Sequence, residues 1–455
     1  MKRMLAAVLL ILLALQSASF GEVNKISSLP PVFEVSVDTI ERFEGQNAKF
    51  IYKEYLRTQN AAVNQALEQT VDAFDAALVP LMEPDENRSA RKYSRLDIES
   101  SYSRTGQSWL STLVIARTSR KKSQVRVDFT ARVYDLQTGQ RVMLEDMFPP
   151  DSAAWDLLSQ RVREHLLAVF PLEERDFDAI AQLSSRSALS QADFSLGGAE
   201  LTLHYAARML FPGQAGLIHV RFFYPEFAGM MTQQAAAQTD NRHWKMVALT
   251  CDDGPRYYNS VYSLNNFRKG GARVNYFVVG KLLDENKDIL RREFDSNHLI
   301  ASHSWNHWSG YTMSAGGMQK EIDRTNEFLL AFTGEPVKYF RAPGGTWPPW
   351  AEKGIGLPII QWSVDTYDYK GKSKDSILYT IREFVRHGDV VLMHDTGEIL
   401  NTAVPAVTDY LTRHGFLMVT IEELAWAEGV LMAPNIVYNR YFEGRFDERP
   451  DSNLN

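Results

Sequence analysis

The 455-residue sequence has one cysteine, no excess of positive charge and few long apolar runs, and each shortage removes a class of protein. Its one cysteine, Cys251, permits no internal disulfide, so every folded part must stand on packing alone. Cys251 also lies far from the N-terminus, which leaves no thiol there for lipoprotein-type acylation. Lys and Arg number 49 against 56 Asp and Glu, and the net charge of -7 argues against nucleic acid as the main partner. One basic cluster, Arg117, Arg120, Lys121 and Lys122, falls where a hairpin turn is expected and reads as a solvated turn rather than a contact for an anionic polymer. Only Met4 to Leu15 is long and apolar; Lys2 and Arg3 precede it, and Ser17, Ala18, Ser19 and Gly21 follow. That order predicts a signal peptide over 1–21 and an exported protein. The run is short for a membrane span, and acts as an anchor if it is not removed.

What is present is globular: 45% hydrophobic and 23% charged residues, at a length that predicts two domains. Residues 22–32, ending in Leu29-Pro30-Pro31, read as a spacer. Over 33–231 the pattern alternates between strands and helices. Phe33, Val35 and Val37 begin a strand, and Val63, Leu67, Val71, Phe74 and Leu78 form a helical stripe behind Asn60 as N-cap. Two strands follow from Trp109 to Tyr134, then a helix from about Ser152 carrying Trp155, Leu158, Val162, Leu166 and Val169, then strands near Glu200–Tyr205 and Leu217–Tyr224. This is a smaller α+β domain without a catalytic constellation of its own. The polar, Ala/Gln-rich stretch 232–243 reads as a linker. From 244 to 432 seven short apolar runs alternate with helical patterns, which predicts parallel βα units closed into a barrel with its site at the strands' C-terminal ends. Residues 433–455 read as a polar surface tail.

The chemistry gathers at the ends of those runs. Val247–Cys251 suits a strand buried on both faces, and Asp252-Asp253 end it before Gly254-Pro255. Neighbouring strand residues face opposite ways, so both acids can serve one site only where the strand stops. Two uncompensated charges at a buried strand end are costly unless a cation pairs with them. His303 and His307 stand four apart, a spacing that predicts both imidazoles on one side of a helical turn. No Glu follows the first His, so the metalloprotease motif is absent. One Asp and two His form a three-ligand set for a catalytic zinc, with the second Asp left to take a proton. Arg341 can hold a carboxylate, and Pro343-Gly344-Gly345 let a backbone N–H approach an oxyanion. The run Val390–Met393 ends in His394, a candidate general acid if a carboxylate supports its pKa. His165, His204 and His414 lack such a setting and read as structural or solvated. Each motif alone has a commoner plain reading, whether a surface acid pair, a solvated helix or an ordinary turn. Their joint occurrence decides.

These stretches, in this order, resemble the polysaccharide deacetylase family, carbohydrate esterases that share the NodB homology domain, over about 244–431. The resemblance implies an α/β fold, a deformed (β/α) barrel, and a divalent metal, usually zinc, with Co2+, Mn2+ or Ni2+ as substitutes. By position it makes Asp253, His303 and His307 the metal ligands, Asp252 the general base and Arg341 the group that positions it. It makes the Gly344 N–H an oxyanion donor, His394 the general acid, Asp368 its tuning partner, Leu392 a wall of the acetyl pocket and Tyr369 part of the sugar rim. Cys251, Gly344 and Tyr369 depart from the usual Phe, aromatic and Trp, and none of these departures removes a catalytic group. Trp347 and Trp350 are candidates for stacking on sugar; Trp362 fits the core better. Residues 33–231 resemble the extracytoplasmic domain of RsiV-type anti-sigma factors through Thr58-Gln59-Asn60, Tyr134–Gly139, Asp146-Met147-Phe148 and Phe211-Pro212 to Tyr224, implying a ligand-binding or substrate-presenting module. The implied activity is removal of N-acetyl groups from a cell-wall polysaccharide, most of all peptidoglycan. The alternatives are a polysaccharide O-acetyl esterase and a non-catalytic wall-binding or sensing protein.

Overall fold

The computed structural model describes residues 34–44, 49–82, 94–120, 123–169, 176–211, 214–345 and 354–439. The expected signal and spacer, Lys121 and Lys122, Trp347 and Trp350, and residues 440–455 lie outside them.

The N-terminal module is built on a six-stranded sheet in sequence order: β1 (Ser36–Glu44), β2 (Lys49–Arg57), β3 (Ser94–Thr105), β4 (Trp109–Arg120), β5 (Ser123–Asp135) and β6 (Arg141–Val142). All neighbours are antiparallel except β2 and β3. Helix α1 (Ala61–Leu78) starts where expected, because the Asn60 side-chain oxygen Oδ1 accepts from the N–H groups of Ala62 and Val63. Its Val71 and Leu78 pack on Ile51, Leu96, Ile98 and Val114 of the sheet. Helix α2 (Ala154–Ala168) buries Trp155, Leu158, Val162 and Leu166 in one cluster with a second, three-stranded sheet of β7 (Phe194–Leu196), β8 (Glu200–Ala206) and β9 (Leu217–Phe223). The stretch expected as a linker forms a short helix, Gln233–Thr239, because Thr232 caps a run of good helix formers and Ala235 is buried. Arg117 corrects the reading of the basic cluster. It lies within β4, is 3% exposed, and pairs with Glu99 at 2.6 Å instead of standing in a solvated turn.

The second part is a ring of parallel strands around β10 (Lys245–Asp252). On one side β10 pairs with β15 (Asp389–His394); on the other it pairs with β11 (Val274–Val278) over its C-terminal half and with β16 (Phe416–Met418) over its N-terminal half. From β11 the sheet continues to β12 (Leu299–Ser302), to Phe340 through a single bridge, and to β13 (Ile359–Ile360). A few residues on, the same run becomes β14 (Val364–Asp365), which pairs with β15 and closes the ring. All seven expected apolar runs are therefore strands or bridges of one parallel α/β barrel, with β16 wedged between β10 and β11 as the deformation. The expected tail begins inside the fold: β17 (Val437–Tyr438) pairs with β13, and Tyr438 is buried.

Alternation along β10 sorts its residues. Val247, Leu249 and Cys251 face outward into a cluster with Leu264 and Phe267 of α3 (Tyr257–Lys269) and Leu400, Val404 and Leu411 of α7 (Glu398–Arg413); α4 (Lys287–Asp295), α5 (Ala315–Thr333) and α6 (Lys374–Phe384) cover other strands. Met246 and Ala248 face the barrel interior, and Thr250 and Asp252 follow them on that face toward the site. The two parts meet across buried charge. Arg268 at the end of α3 donates to Glu54 of β2, and Arg292 of α4 pairs with Glu99 of β3. Arg273 bridges Glu200 of β8 and Glu423 at 3.0 Å each.

Candidate metal and acid–base site

At the C-terminal end of β10 the backbone turns out of the strand at Asp253, whose φ is 73°. This left-handed conformation is unfavourable for a residue with a Cβ, and it brings the Asp253 carboxylate to the same end as Asp252. His303 and His307 reach the same point differently from expectation. The spacing predicts a helical turn, whereas residues 303–309 form a loop after β12 with Ser304 at φ 65° and His307 at φ 62°. The loop is held by the Ser304 hydroxyl, which accepts from the His307 N–H at 3.0 Å, and by Glu321, which takes the N–H and side-chain amide of Asn306. Four residues of separation allow either geometry, and the left-handed residues select the loop.

The side-chain atoms of Asp253, His303 and His307 that could ligate all lie within 4.8 Å of one another. His303 donates Nδ1–H to the Arg341 carbonyl at 2.9 Å, so its Nε2 is a lone pair facing the acids. Burial lowers its pKa and keeps the ring neutral. Nε2 of His307 is 2.9 Å and Nε2 of His303 is 3.5 Å from Asp253 Oδ1, yet this buried oxygen receives no aligned hydrogen bond. Burial would push the Asp253 carboxyl up, but His307 and His303 beside it hold it at about 2. A permanent carboxylate with an orphaned oxygen beside a neutral imidazole lone pair is a donor set that fits a small divalent cation.

Asp252 is 3% exposed, and its Oδ1 accepts from Arg341 Nη1 at 2.7 Å. Arg341 has no solvent exposure. Its remaining donors reach Thr250 Oγ1 at 2.7 Å and the carbonyls of Ile360 and Gln361 at 2.9 and 3.1 Å, and its Cζ lies 4.0 Å from the centroid of the Phe277 ring. The contact with Asp252 is thus through one oxygen, not the bidentate fork that an Arg–carboxylate pair allows, because the other donors are taken by the barrel wall. Opposite, the Asp368 carboxylate accepts both the Nδ1–H of His394 at 2.9 Å and its backbone N–H at 2.7 Å. Burial acts to lower the His394 pKa, but Asp368 overcomes it and the net shift is upward. Tyr369, half exposed, meets the His394 ring edge-on with centroids 4.8 Å apart. Leu392 is buried two residues before His394 on β15, hence on the same face. Gly344 sits in the turn Pro343–Gly345 at φ 67°. A Cβ on the next residue, Gly345, would lie 2.5 Å from Trp362, and Trp362 packs against the barrel-core cluster as the sequence suggested.

Two residues of the site escaped the sequence reading. Thr250 accepts from Arg341 and donates to the Val391 carbonyl at 2.8 Å; the period of two from Asp252 was its available signal. Asp395, fully buried, donates its N–H to the Asp252 carbonyl at 2.8 Å. Cys251 is buried on the outer face, and burial with Asp395 nearby pushes its thiol well up. A thiol reagent such as a disulfide dye should therefore leave the native protein unmodified and titrate one thiol only after denaturation. Fast reaction of the folded protein would contradict this placement.

Fold and site together define an α/β-barrel protein with an Asp–His–His cluster that could hold a cation, flanked by a buried acid and a supported imidazole. The barrel carries a polysaccharide deacetylase domain: residues 239–354 match that family's model. It is 26% identical over 303 residues to the peptidoglycan-N-acetylglucosamine deacetylase PgdA of Listeria monocytogenes, a match covering 64% of this chain and 63% of that protein. It is 30% identical over 154 residues to a peptidoglycan-N-acetylglucosamine deacetylase of Bacillus cereus, covering 33% of this chain and 56% of the relative. Among solved structures it is similar to T48 deacetylase with substrate, at 30% identity and a TM-score of 0.41, over 43% of this chain and 97% of that one. Among the described residues no helix is long and apolar enough to cross a membrane.

Proposed function

We propose that this protein is an exported hydrolase, dependent on a divalent cation with zinc as first choice, that removes N-acetyl groups from peptidoglycan amino sugars. The observation that carries the reading is the orphaned Asp253 oxygen facing two imidazoles, placed between an Arg-held acid and an Asp-held histidine. Asp253, His303 and His307 hold the cation. A divalent cation bound there supplies Lewis-acid polarisation of an acetamide carbonyl and makes water a better nucleophile. Asp252 takes the attacking water's proton, and Arg341 fixes the carboxylate that receives it. Gly344 offers its N–H to the oxyanion, and Leu392 and Tyr369 bound the acetyl and sugar positions. His394 delivers a proton from Nε2 to the departing amine, while Asp368 holds Nδ1 and with it the tautomer. The products are acetate and a free amino sugar. The α+β module belongs to the same reading as the part that presents the glycan. The test is acetate release and loss of acetyl mass from wall fragments, run beside O-acetylated oligosaccharides. Release from the O-acetylated set alone would turn the reading to an esterase.

A pH prediction follows from the support of His394. Its raised pKa keeps the acid form populated above the ordinary histidine range, about 6.5, so the alkaline limb of kcat lies above that value. Asp368→Asn removes the anion that favours the imidazolium, so the limb should move to lower pH and kcat near neutrality should fall about 10-fold or more. A pH–rate profile of the two proteins checks it; an unmoved limb would remove His394 as the acid.

A further inference from the structure

The turn that carries both acids is gripped from two sides. At the end of β11 the Val279 N–H donates to the Gly254 carbonyl at 2.9 Å, and at the end of β15 the Asp395 N–H donates to the Asp252 carbonyl at 2.8 Å. The Asp395 side chain continues the second grip. Its Oδ1 accepts from Ser263 Oγ of α3 at 2.7 Å, and its Oδ2 lies so close to Gly254 that a Cβ there would be 2.7 Å away. Oδ2 receives no aligned hydrogen bond among the described residues, although the Ser260 hydroxyl also lies beside the carboxyl, and the residue is 1% exposed. A buried carboxyl with one open oxygen is a poor choice for stability alone, since an apolar side chain would fill the same space without an unsatisfied group. Its shape and its anchor on α3 are what it gives to the turn.

We propose, resting on the cation-site reading above, that Asp395 is a positioning residue for that site. Braced on Ser263, its carboxyl props the Asp252–Gly254 turn so that Asp253, in its unfavourable left-handed conformation, stays aimed at His303 and His307. Without the prop the turn relaxes into the vacated space and Asp253 swings away from the imidazoles. Outer residues that orient a metal ligand commonly account for about 10- to 100-fold in affinity.

The test is calorimetric titration of metal-free protein with zinc for wild type, Asp395→Ala, Asp395→Asn and Ser263→Ala, with the thermal midpoint of each metal-free protein measured alongside. Asp395→Ala should bind zinc about 10- to 100-fold more weakly at an unchanged midpoint. Asp395→Asn keeps the shape and the acceptor for Ser263 and should stay within about 3-fold of wild type, while Ser263→Ala should fall between. Zinc binding by Asp395→Ala equal to wild type overturns the proposal alone. So does a loss of zinc affinity that merely tracks a falling midpoint in every variant. If Asp395→Ala does not fold, Ser263→Ala with wild-type affinity overturns it. Wild-type protein that takes up no zinc overturns the cation-site reading itself.

Discussion

Asp252→Asn is expected to lower kcat for acetate release by about 10³-fold while zinc stoichiometry stays at one per chain, the scale of removing a positioned general base. The substitution keeps the size of the side chain and an oxygen to accept from Arg341 Nη1 but removes the charge that balances this buried guanidinium, so a thermal midpoint is measured beside the kinetics to separate lost stability from lost chemistry. What it removes is the ability to bind a proton. Asp252 Oδ2 lies 3.7 Å from His303 Nε2, near the cation site but outside the set whose atoms converge within 4.8 Å. Kinetics on an N-acetylated oligosaccharide and metal analysis of the same preparation separate the two roles. Activity within 10-fold of wild type would mean another group takes the proton. Loss of zinc together with activity would move Asp252 into the ligand set.

The parts of this molecule that were legible in its sequence are those coded at short range. Strand parity along Val247–Asp252 predicts which residues face the helices and which the interior, and the stop at Gly254-Pro255 predicts where both acids meet. The closing of the ring was legible only as strand–helix alternation, because β13 and β14 are two residues each and their pairing depends on partners far along the chain. His303 and His307 show the limit of spacing arguments: convergence was readable, but the left-handed residues that make it a loop were not. Asp252 and Arg341 are 89 residues apart, and only the order of the motifs suggested the pair. Arg117 was misread for the same reason, since its partners Glu99 and Asp295 lie on another strand and on α4. A charged residue in a polar run looks solvated until its distant partner is known. The inter-module seam, made of such residues, was therefore invisible.

The largest change in stability is expected at that seam, from Arg268→Met. Arg268 is 2% exposed and Glu54 has no exposure; the pair is joined through both terminal guanidinium nitrogens, Nη1 and Nη2, and Arg268 also donates to the Ser100 carbonyl at 2.6 Å. Met fills the aliphatic volume but leaves the Glu54 carboxylate without its closest cation, with Lys269 at 3.5 Å the one other paired cation among the described residues. An uncompensated buried charge of this kind typically destabilises by about 3–5 kcal/mol. Burial alone would raise the Glu54 pKa, but the charge and hydrogen bonds of Arg268 outweigh it and the carboxyl is held below its ordinary value. Its contribution is then complete above the ordinary glutamate pKa of about 4.3 and is lost as pH falls through the depressed folded value. Urea unfolding at neutral pH should show the full loss in Arg268→Met, with the difference from wild type shrinking in acid. Adding Glu54→Leu should restore much of it, because a buried pair replaced by apolar groups is often near neutral. Equal midpoints for wild type and Arg268→Met would mean that water or Lys269 already compensates Glu54. A double variant no better than the single would place the cost in Glu99 and Arg292, which share the same buried network. α3 runs from Tyr257, just past the acid-bearing turn, to Lys269 at this seam. A loosened seam should therefore weaken zinc binding less than it weakens the fold, since Asp395 and Ser263 still brace the turn from the middle of the helix.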